Sequence, residues 1–237
     1  MATGPSSLTL LGASPLMIAY ASSPVVRGPQ TPTSCSYDPG LNISSLLPTP
    51  SPATTAAREI VVRYSSDALV NHGERSYFWS ASLGRLKQIA YDAELLYVAS
   101  MLHDLGLVPA FDNHLAPFED AGGDVGWVFG AGAGWPAERR DRVKEIIVRH
   151  MWHEVDPALD AEGHLLREGT ALDISGHNVD TWPADFRAEV LRRCPRLTLV
   201  TEFTAAFEDQ ARRKPGCAAA AAVASGVGAR LADNPLD

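Results

Sequence analysis

The sequence predicts an all-α protein, on three observations. From Ala56 onward, apolar residues recur at the three- and four-residue spacing of helices. No alternating apolar and polar run is long enough to make a convincing strand. Asp, Pro and Gly stand at the ends of the periodic runs, where helices start and stop. No internal repeat is present.

The 237 residues suffice for one sizeable domain with a full core. Residues 1–55, rich in Pro, Ser, Thr and Gly and ending in SLLPTPSPATT, read as a flexible, disordered leader. Within it, residues 8–26 come closest to a membrane or signal segment. Pro15 and Pro24 interrupt them and no Lys or Arg precedes them, so neither a span nor secretion is expected. Residues 56–217 form the expected catalytic domain. Residues 218–237 form an alanine-rich tail, expected to be helical and loosely packed, or frayed.

Within the domain, the stretch from Ala56 to Ala90 suits two or more helices with a break at Ser65-Ser66-Asp67. Asp67 is the expected N-cap of the segment carrying His72. DAELLYVASMLHDLG opens at Asp92 as N-cap, with Glu94 in the first turn, and Gly106 is expected as a left-handed stop. Its apolar residues predict a central helix. FEDAGGDVGWVF predicts another, with Gly122, Gly123 and Gly126 permitting close packing. Pro136 opens AERRDRVKEIIVRHMWHEV, which aligns Val143, Ile146, Ile147 and His150 on one face. A loop over DPALDAEGHLLREG, a helix containing TALDISGHNV, and a helix over PADFRAEVLRRC complete the prediction.

Charge and cysteine content narrow the function classes. A formal net charge of −8 disfavours phosphate backbones and anionic membranes, so neither nucleic acid nor membrane is an expected partner. The partner is a small-molecule substrate, with a homo-oligomer left open. Cys35, Cys194 and Cys217 are odd in number and widely separated, which argues against a disulfide framework or a Cys-x-x-Cys metal knuckle and suits a reducing cytoplasm.

The chemistry lies in SMLHDLGL, residues 100–107, where His103 and Asp104 interrupt an apolar helix end. An unpaired buried carboxylate costs several kcal/mol, so Asp104 needs a cation or several donors. A His-Asp pair alone is also explained by a hydrogen-bonded imidazole and a carboxylate capping the next turn. Other segments add candidates: His72, the i, i+3 pair His150 and His153, and Asp173 among apolar neighbours in Ala-Leu-Asp-Ile-Ser. His114, His164 and His177 lie in polar or turn-like contexts and read as surface residues. Tyr77, Phe78, Trp79, Trp127, Phe129 and Trp152 read either as core or as walls of a small apolar pocket. Lys144 and Arg149, with Arg139, Arg140 and Arg142 on the same helix, read as a solvated charged face rather than an anion site.

The set His72, His103-Asp104 and Asp173 resembles the HD-domain superfamily of metal-dependent hydrolases, whose pattern is a His, a His-Asp pair and a distant Asp on an all-helical fold. VNHGERSYFW, SMLHDLGL, the PFED segment, and EVLRRCPR followed by KPGC resemble its cyanamide hydratase-like branch over residues 56–217. The resemblance implies an HD-domain helical bundle with a central metal site, held by His72, His103, Asp104 and Asp173. The ion is expected to be divalent: zinc first, with iron(II) or manganese(II) as alternatives. Such a centre activates water, and in this branch water adds across a carbon–nitrogen triple bond. Beside Asp104, the expected catalytic residues are Glu119, as a proton shuttle, and His150, which orients water, bonds substrate or joins a second metal. His153 faces either solvent or the site. Three other functions stay open: an HD phosphohydrolase, for which Arg75 is the main nearby cation; a dinuclear iron oxygenase using His150; and a non-enzymatic binding module.

Overall fold

The computed structural model describes residues 41–237. The expected leader up to residue 40, with Cys35, lies outside the described residues. Those described are helical, without a strand.

The helices begin ahead of Ala56. α1 (Ile43–Leu46) buries Ile43 and Leu46. α2 (Pro52–Tyr64) opens on a capping box, in which Thr54 N–H donates to Ser51 Oγ at 3.1 Å and Ser51 N–H to Thr54 Oγ1 at 3.0 Å. The Pro, Ser and Thr that read as linker are here a helix start, since Pro52 occupies the first turn, where no amide partner is lost.

α3 (Asp67–Lys87) is capped by Ser66, one residue before the expected cap, with Leu69 N–H donating to Ser66 Oγ at 3.3 Å. Asp67 instead lies in the first turn, where its charge suits the positive helix end. From His72 to Gly84 every residue of α3 is buried, polar ones included. α4 (Ala93–Leu102) is capped by Asp92 as expected, Leu95 N–H donating to its Oδ1 at 2.9 Å. It too is buried, from Leu95 through Leu102.

Gly106 does not act as a left-handed stop. It lies inside a short 3-10 turn, Leu105–Leu107, with φ outside the positive region. Its role is proximity: a Cβ there would stand 1.9 Å from the carbonyl oxygen of Phe118, and one on Gly122 would stand 2.9 Å from that of His103. These glycines let α5 (Phe118–Gly132) press its backbone onto the turn that holds His103 and Asp104. Gly126 serves the same end toward α6 (Ala137–Arg149), where its Cβ would come 2.7 Å from Ile147 Cδ1.

α6 buries Val143, Ile146, Ile147 and its C-cap His150, the expected face. α7 (Ala161–Ser175) begins inside the segment expected to be a loop, because Asp160 caps it, accepting from Gly163 N–H at 2.9 Å. It ends at Gly176, whose φ of +69° breaks the helix before His177. α8 (Ala184–Arg193), α9 (Leu199–Arg213), α10 (Ala218–Ala224) and α11 (Val227–Ala232) follow.

The alanine-rich tail is packed rather than frayed. Ala219 and Leu231 are fully buried, and the Asn234 amide donates to Asp173 O at 2.9 Å and Leu172 O at 3.3 Å. Arg196 holds the Asp237 carboxylate. The principal core includes residues of α3, α4, α6 and α7, while a second joins Phe118 to Leu199, Phe203, Phe207 and Leu231. Among the described residues, no helix is long and apolar enough to cross a membrane.

Candidate metal centre

Three imidazoles and one carboxylate converge in the interior. His72 comes from the first half of α3, His103 is the C-cap of α4, Asp104 follows it, and His150 is the C-cap of α6. All four are buried.

Helix-end chemistry sets the tautomers. The last carbonyls of a helix lack intrahelical partners. His103 Nδ1 donates to Ser100 O at 2.7 Å, and His150 Nδ1 donates to Ile147 O. A carbonyl can only accept, so Nδ1 carries the proton in both rings and a neutral ring presents a bare Nε2. His72 reaches the same state differently, its Nδ1 lying 2.6 Å from Asp173 Oδ2. The negative ends of α4 and α6 border this cluster, which favours a cation.

The inward-facing atoms form a near-equilateral triangle. His72 Nε2 and His103 Nε2 lie 3.2 Å apart, and Asp104 Oδ2 lies 3.3 Å from the first and 3.2 Å from the second. Each vertex offers a lone pair, and among the described residues neither Asp104 oxygen has a hydrogen-bond partner despite burial. Such a face is unfavourable without a positive centre. Ligands bound 2.0–2.1 Å from a tetrahedral ion are separated by about 3.3 Å, so the triangle has the edge length of a zinc face. His72, His103 and Asp104 therefore fit a divalent metal. His150 Nε2 stands further out, 3.9 Å from Asp104 Oδ1.

Without an ion, the positive charge this face calls for falls to protons on the imidazoles. Burial opposes charge on His72, but the Asp104 and Asp173 carboxylates outweigh it and raise its pKa. Burial likewise opposes ionisation of Asp104, yet His103 and His72 hold its pKa far below the carboxylate range. His150 is pushed down to about 3 by burial and by His103.

Asp173, expected as a fourth ligand, lies behind His72 instead. Arg75 grips it with Nε on Oδ1 and Nη2 on Oδ2, both at 2.8 Å, and Trp79 Nε1 donates to Oδ1 at 2.9 Å. With His72, four donors fill its two oxygens, and its part is to orient the ligand. Arg75, weighed above as a substrate cation, is wholly buried on Asp173 and on the carbonyls of Cys194 and Pro195.

Glu119 is also elsewhere. It does not line the metal cavity, for Phe118 turns toward His150, ring centroids 5.7 Å apart, and the next residue lies about 100° further round the helix. The Glu119 carboxylate is buried near the Ala218 amide, its pKa raised by burial, with Oε2 lacking a hydrogen-bond partner. His153 is exposed.

The cluster opens into a cavity of ≈ 180 Å³. Of the aromatic residues weighed as walls, only Trp152 lines it; Tyr77, Phe78 and Trp79 are core. The cavity's other aromatic walls, Phe203 and Phe207, are paired i, i+4 on α9, a spacing that could have marked them. Arg167 from α7 and Arg230 from α11 also line it. Lys144 and Arg149 are spent on Asp124 and Asp160, as a charged face would be.

No protein-family model and no curated protein matches the chain.

Proposed function

We propose that this protein is a metal-dependent hydratase or hydrolase of the HD type, acting on a small nitrogenous substrate of the cyanamide or nitrile kind. The observation that carries the reading is the triangle of His72 Nε2, His103 Nε2 and Asp104 Oδ2, with both Asp104 oxygens unpartnered, at one end of a cavity.

His72, His103 and Asp104 would hold the ion, and Asp173 fixes the His72 ring from behind. When bound, a divalent ion supplies Lewis acidity and lowers the pKa of a water toward neutrality. In the proposed hydration the water oxygen bonds to the carbon of C≡N, both water hydrogens finish on nitrogen, and no group leaves. His150, with Nδ1 committed to Ile147 O, keeps a bare Nε2 near Asp104 and is placed to accept a hydrogen bond from water or substrate there. Phe203 and Phe207 give the cavity an apolar wall. Its volume of ≈ 180 Å³ favours a substrate of a few heavy atoms, since pockets for drug-sized ligands run to about 300–1,000 Å³.

The test is metal analysis of the purified protein joined to a screen of cyanamide, small nitriles and phosphate esters. About one zinc per chain, with turnover of cyanamide or a nitrile that is lost in His103→Ala, is expected. Turnover confined to phosphate esters sinks the hydratase reading, and two irons per chain would replace it with the dinuclear one. Metal lost in His103→Ala with turnover retained would leave the cluster a binding site only.

A further inference from the structure

The cavity is asymmetric in charge. Among the described residues that line it, Asp104 is the only carboxylate, against two guanidinium groups. The Arg167 charge is offset locally, since its Nη1 pairs with Glu168 while Nε reaches the Trp152 carbonyl at 3.4 Å. Arg230 differs. Exposed to solvent, it donates to the Ser225 carbonyl and, at 3.1 Å, to the Ser225 hydroxyl, and its other N–H groups stay open to an incoming acceptor. Among the described residues no carboxylate pairs with it.

Arg230 is brought there by the packed tail. Leu231 is fully buried behind it, and Asn234 ties the following turn to the backbone of Asp173, the residue that orients His72. The cavity thus joins lone-pair donors for a cation, apolar walls at Phe203, Phe207 and Val227, and a second positive group from α11. An anionic group on a bound molecule would complement that last charge.

We propose that the substrate is a small organic anion, carrying a carboxylate that Arg230 binds, with Arg167 beside it, while the reacting carbon–nitrogen group lies toward His72, His103 and Asp104. This rests on the hydratase reading and names its substrate class. The guanidinium fork matches carboxylate geometry, and Arg230 lines the same cavity as His72, His103 and Asp104.

The test uses the full-length, metal-loaded protein and compares cyanoacetate with its neutral isostere cyanoacetamide, in binding by calorimetry and in hydration. Tighter binding of cyanoacetate is expected, with a loss of about 10- to 100-fold in Arg230→Gln. A smaller loss is expected in Arg167→Gln. Cyanoacetamide binding should fall far less than cyanoacetate binding in both, with the metal content unchanged. Equal binding of the two probes, or cyanoacetate binding indifferent to Arg230→Gln, overturns the proposal even if cyanamide is hydrated. Arg230-dependent cyanoacetate binding without hydration of any nitrile upholds the anion site and overturns the hydratase reading alone. Methyl phosphate bound more tightly than cyanoacetate, with the same dependence on Arg230, overturns the carboxylate assignment.

Discussion

Asp173 Oδ2 lies 2.6 Å from His72 Nδ1, while the Arg75 guanidinium bridges both Asp173 oxygens at 2.8 Å. One carboxylate thus positions an imidazole of the candidate metal triangle and neutralises an arginine with no solvent exposure. Asp173→Asn leaves that arginine uncompensated, which costs about 3–5 kcal/mol for a broken buried pair. Urea unfolding with excess chelator should show the loss, since it does not depend on the ion. In the folded fraction, metal affinity should fall about 10- to 100-fold, as for a residue that acts through a ligand. A melt unchanged in chelator would contradict the Arg75 pairing.

Removing the metal should itself destabilise the fold, because the triangle of His72, His103 and Asp104 exists only in the native state. An ion at a hundred times its Kd contributes about 2.7 kcal/mol. In a domain of this size that corresponds to roughly 5–10 °C in Tm. Chelation should produce a shift of this order in wild type and none in His103→Ala. A shift of equal size in both proteins would place the stabilising ion elsewhere.

The three residues of the candidate triangle were legible in sequence, and their supports were not. His72, His103 and Asp104 stand out because imidazoles and a carboxylate are costly among apolar neighbours. Asp173 stood out for the same reason, but cost of burial alone does not distinguish a ligand from a group satisfied by arginine, tryptophan and histidine donors. Glu119 misled because carboxylates near a predicted site all read alike in one dimension, and only helix phase sets Phe118 toward His150. Helix periodicity gave the positions of α3, α4 and α6. It missed the start of α7, where Asp160 caps a helix inside a polar stretch. The tail was hardest to read, since alanines promise a helix without saying what it packs on, and its anchors, Leu231, Asn234 and Asp237, find partners far back in the chain.

Asp160 should shape the acid limb of stability. Burial alone would raise its pKa, but Arg142, Arg149 and the Gly163 amide outweigh that and lower it. The depressed folded pKa contributes stability that is fully present above the unfolded value near 3.9, and is lost as pH falls through the folded one. Asn at this position keeps an N-cap acceptor and removes the charge. Asp160→Asn should therefore cost about 1.5–3 kcal/mol at pH 6 through weakened charged hydrogen bonds. The gap from wild type should close as the pH drops below about 4. Unfolding curves at a series of pH values would measure it, and a gap independent of pH would mean that the arginines contribute nothing through charge.

Two glycine substitutions should move stability in opposite directions. At Gly106 a new Cβ meets Phe118 O at 1.9 Å and Gly122 N at 3.0 Å, both backbone atoms that cannot swing aside. Gly106→Ala must push α5 away from the turn that holds Asp104, at a cost of about 1–3 kcal/mol or more for an overpacked contact. The displaced Asp104 should also bind metal less tightly. At Gly132, the last residue of α5, a Cβ meets nothing within 4 Å and φ is not positive. Gly132→Ala there should raise stability by about 0.4–1 kcal/mol, by narrowing the unfolded ensemble. Denaturant midpoints and metal titrations of the two variants, side by side, separate close approach from helix propensity. Destabilisation and weakened metal binding in Gly106→Ala alone is the expected pattern, and equal behaviour of the pair would remove the packing role assigned to Gly106.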